Sequence, residues 1–301
     1  MTALRRFLEA VDPIHLARAT LTVLGKALSR LWGRDVMLYV GGVSFFALLA
    51  VFPGLALSIG LYGVFLSPER AALEAESLAR AMPAGARSIF QDELQRLAHT
   101  PLSTIWSQNG LALVIGIYAA HRGFKALLAG LTFIHEEEEQ RGFFGFNLMA
   151  LIVLISAFVL LAVASAVFLF FRLMSSTLNL RPLAGVSWFF SEWTWASLSV
   201  MAAMTLIYRY AMSRKPTPWG ASAVGGVAAS LLCLFASWAS AFYVERVVSL
   251  GATYGSVAAI VVFLIWLSWN VNAVFFGGAL ATEAEIALAE QATFKGGAAG
   301  S

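Results

Sequence analysis

Between Val36 and Leu66 the chain runs for 31 residues without a charged side chain. Water-soluble folds rarely hold so long an apolar run, whereas lipid demands one, because each backbone N–H and C=O must there be paired within its own segment. At about 1.5 Å per residue this block makes a helix of about 46 Å, against a hydrocarbon core of about 30 Å. It is too long for one straight span. Pro53, set between Phe52 and Gly54, lacks an N–H and crowds the preceding turn, so the sequence predicts a long first span kinked, tilted or broken at Pro53 and Gly54.

Five more apolar blocks follow, at about 107–134, 143–171, 186–211, 219–244 and 254–282. None shows the alternating ten-residue pattern of a barrel strand, so all six read as helices. The composition agrees: 12% of residues are charged, where ordinary globular domains hold about 25%. The expected fold is an all-α integral membrane protein with six transmembrane helices over 36–285. Residues 1–35 read as a cytoplasmic amphipathic basic region made of two interfacial helices. With no clean signal-peptide core there, the first span acts as the insertion signal. Residues 67–103, mixed in charge, read as a helical extracytoplasmic insert, and 286–301 as a cytoplasmic tail. With both termini cytoplasmic, 13 of the 20 Lys and Arg fall on the inner side, as the positive-inside rule asks.

The same composition narrows the function. A net charge of +3 is too small to argue for nucleic acid, and no RNA-binding or zinc-finger spacing occurs. Cys233 is the single cysteine, and His15, His99, His121 and His135 are scattered. No HExxH, P-loop or GxSxG is present. The expectation is a protein that is not an enzyme, with no cofactor and no metal. Its expected partners are membrane lipids and an anionic amphiphile or small solute, with self-association as a homo-oligomer left open.

Four residues of the second block carry the most chemical information. Tyr118, His121, Arg122 and Lys125 fall on one helical face at spacings of three, four and seven. Ionisable groups within a span point by default to a bundle interior or an aqueous cavity. Arg122 offers a two-pronged donor to phosphate or carboxylate, and His121 titrates near neutrality. The competing reading ends the span at Tyr118 and leaves the cations at the headgroups. In the sixth block, Trp266, Ser268, Asn270 and Asn272 interrupt apolar sequence. A buried Asn there either clamps a neighbouring helix or touches substrate. Ser222, Gly226, Ser230, Ser237 and Ala241 form a small-residue face suited to close helix packing. Glu136 to Glu139 form a loop charge run whose plain role is solvation.

Several segments in order resemble the YihY/BrkB family of bacterial inner-membrane proteins, over about residues 30–285. They are the stretch ending at Pro53, Arg122-Gly123 through Gly130-Leu131, the Glu-rich loop before Arg141, Tyr208-Arg209-Tyr210, Trp219-Gly220-Ala221, Thr253-Tyr254-Gly255, Trp266 and Gly277-Gly278-Ala279. The resemblance implies a multi-pass inner-membrane location, a six-helix core and movement of lipid or lipopolysaccharide precursors, ions or small solutes. Some members carry the label ribonuclease BN, for which the sequence offers no clustered metal ligands. The family places an acid directly after the final Gly-Ala, where this chain has Leu280 and reaches its next acid at Glu283.

Three functions follow. The first is a transporter or flippase-like protein for an anionic amphiphile, bound by Tyr118, His121, Arg122, Lys125 and Asn270. The second is an ion-coupled small-solute exporter or cation/proton antiporter using His121 and Glu283 to handle protons. The third is a structural scaffold whose insert binds a partner.

Overall fold

A computed structural model describes residues 13–32, 35–65, 102–136, 142–177, 192–212, 215–246 and 257–297. Among them the chain forms seven α-helices: α1 (Pro13–Trp32), α2 (Val36–Phe65), α3 (Leu102–Ile134), α4 (Phe143–Thr177), α5 (Glu192–Tyr210), α6 (Trp219–Arg246) and α7 (Ala258–Gly297). The all-helical expectation holds. Among the described residues two stretches, Trp219–Tyr243 and Ala258–Glu290, are long and apolar enough to cross a membrane. A third qualifies if α1 from Thr20 and α2 to Val51, bent by 74° at their junction, count as one broken span. The expected insert lies outside the described residues up to position 101, as do the first twelve residues.

Three helices begin where their apolar blocks begin, at Val36, Phe143 and Trp219. Others run further than hydropathy suggests, α4 among them, from Phe143 to Thr177. The second block starts earlier, at Leu102, and α7 continues past Thr282 to Gly297, because the Glu, Ala and Leu residues after Thr282 are strong helix formers whatever their polarity. Of the kink, tilt or break predicted at Pro53, the break does not occur, since α2 is continuous from Val36 to Phe65 with Pro53 inside it. A Pro in a helix interior costs about 3 kcal/mol, and the packing of α2 on α3 supplies compensation.

That packing has a regular register. Pro53 lies on Gly116, Phe46 on Gly123 and Tyr39 on Gly130. Each step of seven along α3 is answered by a step of seven backwards along α2, the repeat of two antiparallel helices wound left-handedly. Glycine is needed because the surfaces touch. A Cβ at Gly116 would overlap the Pro53 ring, and one at Gly130 would come within 2.6 Å of Phe275 and 3.0 Å of the Tyr39 Cβ. Such close approach maximises dispersion contact between the two helices.

α7 is the hub, packing on α1, α2, α3, α5 and α6. Its Phe275, Ala279 and Ala281 are fully buried. It crosses α6 backbone to backbone: a Cβ on Gly225 would lie 2.5 Å from the Gly277 carbonyl oxygen. Tyr208 of α5 closes this joint by donating its hydroxyl to the Val274 carbonyl at 2.6 Å. On the other side of α6, Gly226 admits Thr205 and the Met201 carbonyl of α5. The small-residue face of α6 therefore packs on a neighbour. α4 fits between α3 and α5 through its buried Ala150, Val153 and Leu154.

Candidate functional site

The polar residues of α3 stand together on the helix but face two neighbours. Arg122 is exposed, with its guanidinium 5.9 Å from the Phe46 ring centre of α2 and 5.7 Å from that of Tyr118. Tyr118 is 57% exposed, so the pair forms an open cation–aromatic surface. Among the described residues no carboxylate stands within ion-pair reach of Arg122. Toward α4, His121 Nε2 lies 3.3 Å from Asn147 Oδ1, and Lys125 lies 5.8 Å from the Phe146 ring centre. His121 Nδ1 is buried with no hydrogen-bond partner. The helix does not stop at Tyr118, because α3 runs on to Ile134. At about 1.5 Å per residue Arg122 sits about 18 Å short of that end.

Three elements meet where α3 stops. Glu136 takes a left-handed backbone, φ 63°, and its N–H turns back to the Phe133 carbonyl at 3.3 Å, the usual way a helix C-terminus is closed. Arg30 of α1 donates to the last helical carbonyl, that of Ile134, at 3.2 Å and to the Glu136 carboxylate at 2.8 Å. The same guanidinium makes an ion pair with Glu283 of α7. His135 Nδ1 lies 3.0 Å from the Thr282 hydroxyl and its Nε2 3.7 Å from Glu285. The Glu283 side chain is only 6% exposed, and its pairing with Arg30 pins α1 onto α7.

Asn270 lies on the α6 side of α7. Its amide donates to the Trp266 carbonyl at 2.8 Å and its oxygen accepts from Ser237 at 3.4 Å, while the Trp266 indole donates to Ser237 at 3.1 Å. These bonds make Asn270 an interhelical clamp. Its partners belong to α6 and α7, those of the α3 cations to α2 and α4, so the five residues expected to bind substrate do not share a set of neighbours. Ser268 meets Ser44 of α2 at 3.4 Å, and Asn272 donates to the Ser268 carbonyl at 2.9 Å. Where α5 passes into α6, Arg209 stacks on Trp219 at 4.1 Å and donates to the Thr217 carbonyl at 2.6 Å.

Two features escaped sequence reasoning. The Arg30–Glu283 pair joins residues 253 positions apart, and nothing local marks either as the other's partner. The glycine register was visible in principle, since Gly116, Gly123 and Gly130 recur every seven residues, but its meaning needs the matching repeat on α2. Among the described residues no three His, Cys, Asp or Glu side chains group as a metal site requires.

Comparison with known proteins agrees with the motifs that this geometry brings together. The model of the family described as Virulence factor BrkB matches residues 27–299. The chain is also 26% identical over 245 residues to the putative ribonuclease-like protein YfkH of Bacillus subtilis strain 168, covering 78% of this chain and 85% of that protein. No solved structure matches. The Tyr208 contact to α7, the Arg209–Trp219 stack, the Gly225–Gly277 crossing and the Gly123 and Gly130 seats all fall within the matched region, and the chain belongs to the BrkB family of membrane proteins.

Proposed function

We propose that this protein is a transporter or flippase-like protein that moves an anionic amphiphile, a lipid or lipopolysaccharide precursor, across a bacterial inner membrane. In this reading α2 to α7 are six spans and both termini are cytoplasmic. The observation that carries it is Arg122: an exposed guanidinium without a carboxylate partner among the described residues, flanked by Phe46 and Tyr118 and set about 18 Å inside the end of α3. A charge so placed is costly in lipid unless an anion or water meets it. The aromatic rings suit the apolar part of an amphiphile and the fork suits phosphate or carboxylate. Lys125, one turn on, adds a second cation, and the Arg30–Glu283 pair belongs to the scaffold. Hydrolysis is not part of this reading; "ribonuclease-like" is the name of the YfkH relative alone.

The test is native mass spectrometry of gently purified protein. Wild type is expected to retain an anionic amphiphile that Arg122→Ala loses while keeping its thermal stability. Equal retention by both would sink the Arg122 site. A second reading, proton-coupled solute export, draws support from His121, whose buried Nδ1 has no partner. It calls for solute flux that follows an imposed proton gradient and loses that dependence in His121→Gln.

A further inference from the structure

A groove of about 430 Å³ opens on the side of the molecule where α1, the start of α2, α6 and α7 meet. Its walls include Leu28 and Trp32 of α1, Phe235 of α6, and Trp269 and Ala273 of α7, with Asn272 the one polar lining residue. Met37 lines it, and Met37 and Phe46, nine residues apart on α2, point to opposite faces of that helix. The groove and the Arg122 surface are therefore separate.

We infer that this groove seats one acyl chain of an anionic membrane phospholipid, with the headgroup outside it at α1. Three observations select that occupant. The lining is apolar except for the Asn272 amide, one of whose two N–H groups is spent on the Ser268 carbonyl; a tail fits such walls and a charged headgroup does not. One wall is the amphipathic helix α1, set at 74° to α2 and bearing Arg18, Lys26 and Arg30 with no acidic residue. Such a helix lies at headgroup level with its apolar side toward the chains. Arg30 is held by Glu283 and Glu136, whereas Lys26, on the face of α1 opposite the groove-lining Leu28, Leu31 and Trp32, is exposed with no ion-pair partner among the described residues, a cation on the side where an anionic headgroup would lie. The seated chain fills the space beneath α1 that the Arg30–Glu283 pin leaves open.

Trp32 is 75% exposed and Trp269 37%, so the groove carries its own reporters. Full-length protein in lipid-free detergent micelles is titrated with phosphatidylglycerol brominated on its chains, and tryptophan emission is followed. Saturable quenching is expected. It disappears in Trp32→Phe/Trp269→Phe and in Ala273→Phe, which fills the groove; Leu28→Phe, on the exposed rim, blocks it without touching the core and without adding a fluorophore that the assay reads. Brominated phosphatidylcholine binds about fivefold more weakly, a preference that Lys26→Gln erases. Arg122→Ala leaves every one of these results unchanged, which separates this site from the transport site. Quenching that never saturates, or that survives both Ala273→Phe and Leu28→Phe, overturns the seated chain; equal binding of the two lipids overturns the anionic headgroup.

Discussion

Arg122 and Arg30 show how neighbours decide what a cation does. Both are arginines near apolar surface, but Arg30 has two carboxylates and a helix-terminal carbonyl, whereas Arg122 has two aromatic faces. Removing one half of a buried ion pair strands the other, so Arg30→Ala is expected to cost about 3–5 kcal/mol in stability, while the apolar double replacement Arg30→Met/Glu283→Leu recovers most of the loss. Thermal unfolding in detergent checks both; an Arg30→Ala protein as stable as wild type contradicts the pin. The cations of α3 were legible in the sequence because charge inside an apolar block stands out. The pairing of Glu283 with Arg30 was not, because nothing in the local sequence of a carboxylate names a partner 253 positions away.

Between elements, the α2–α3 hairpin shows what hydropathy conceals. Hydropathy located α2 and the end of α3, but apolarity is uniform along α2 and says nothing about which face meets which helix. The contacts rank the glycines. Gly116→Ala and Gly130→Ala force overlap with the Pro53 ring and with Phe275 and Tyr39, and should destabilise by about 1–3 kcal/mol. Gly123→Ala meets only the Phe46 Cβ at 3.3 Å and should cost less. Unfolding midpoints of the three variants give the order, and a Gly116→Ala protein indistinguishable from Gly123→Ala would refute the register. Pro53 belongs here too: the sequence predicts a kink, tilt or break, and the helix runs through Pro53 unbroken because the ring fits the space that Gly116 leaves. In the same way Asn270→Leu should loosen α6 from α7, since Ser237 and Trp266 lose a shared partner. Limited proteolysis should then cut faster than in wild type; an unaltered rate would show the clamp to be dispensable.

At the scale of the whole molecule, α7 gathers α1, α2, α3, α5 and α6 around two glycines and a buried Phe275. This arrangement joins segments that lie far apart in sequence, and it explains why their order and spacing could be recognised before their purpose. Each of Tyr208, Arg209, Trp219, Gly277 and Gly278 sits at a helix-to-helix contact, so those motifs mark the scaffold, whereas Arg122 is bound to no acid among the described residues and is where a ligand would be met. The direct measurement is redistribution of a fluorescent anionic lipid between leaflets of proteoliposomes at equal protein density. Wild type should accelerate it over empty liposomes, Arg122→Ala should remove most of that acceleration, and Arg122→Lys should restore part of it. If wild type moves the lipid no faster than protein-free vesicles, or if Arg122→Ala moves it equally fast, the assignment of Arg122 as the amphiphile site is wrong.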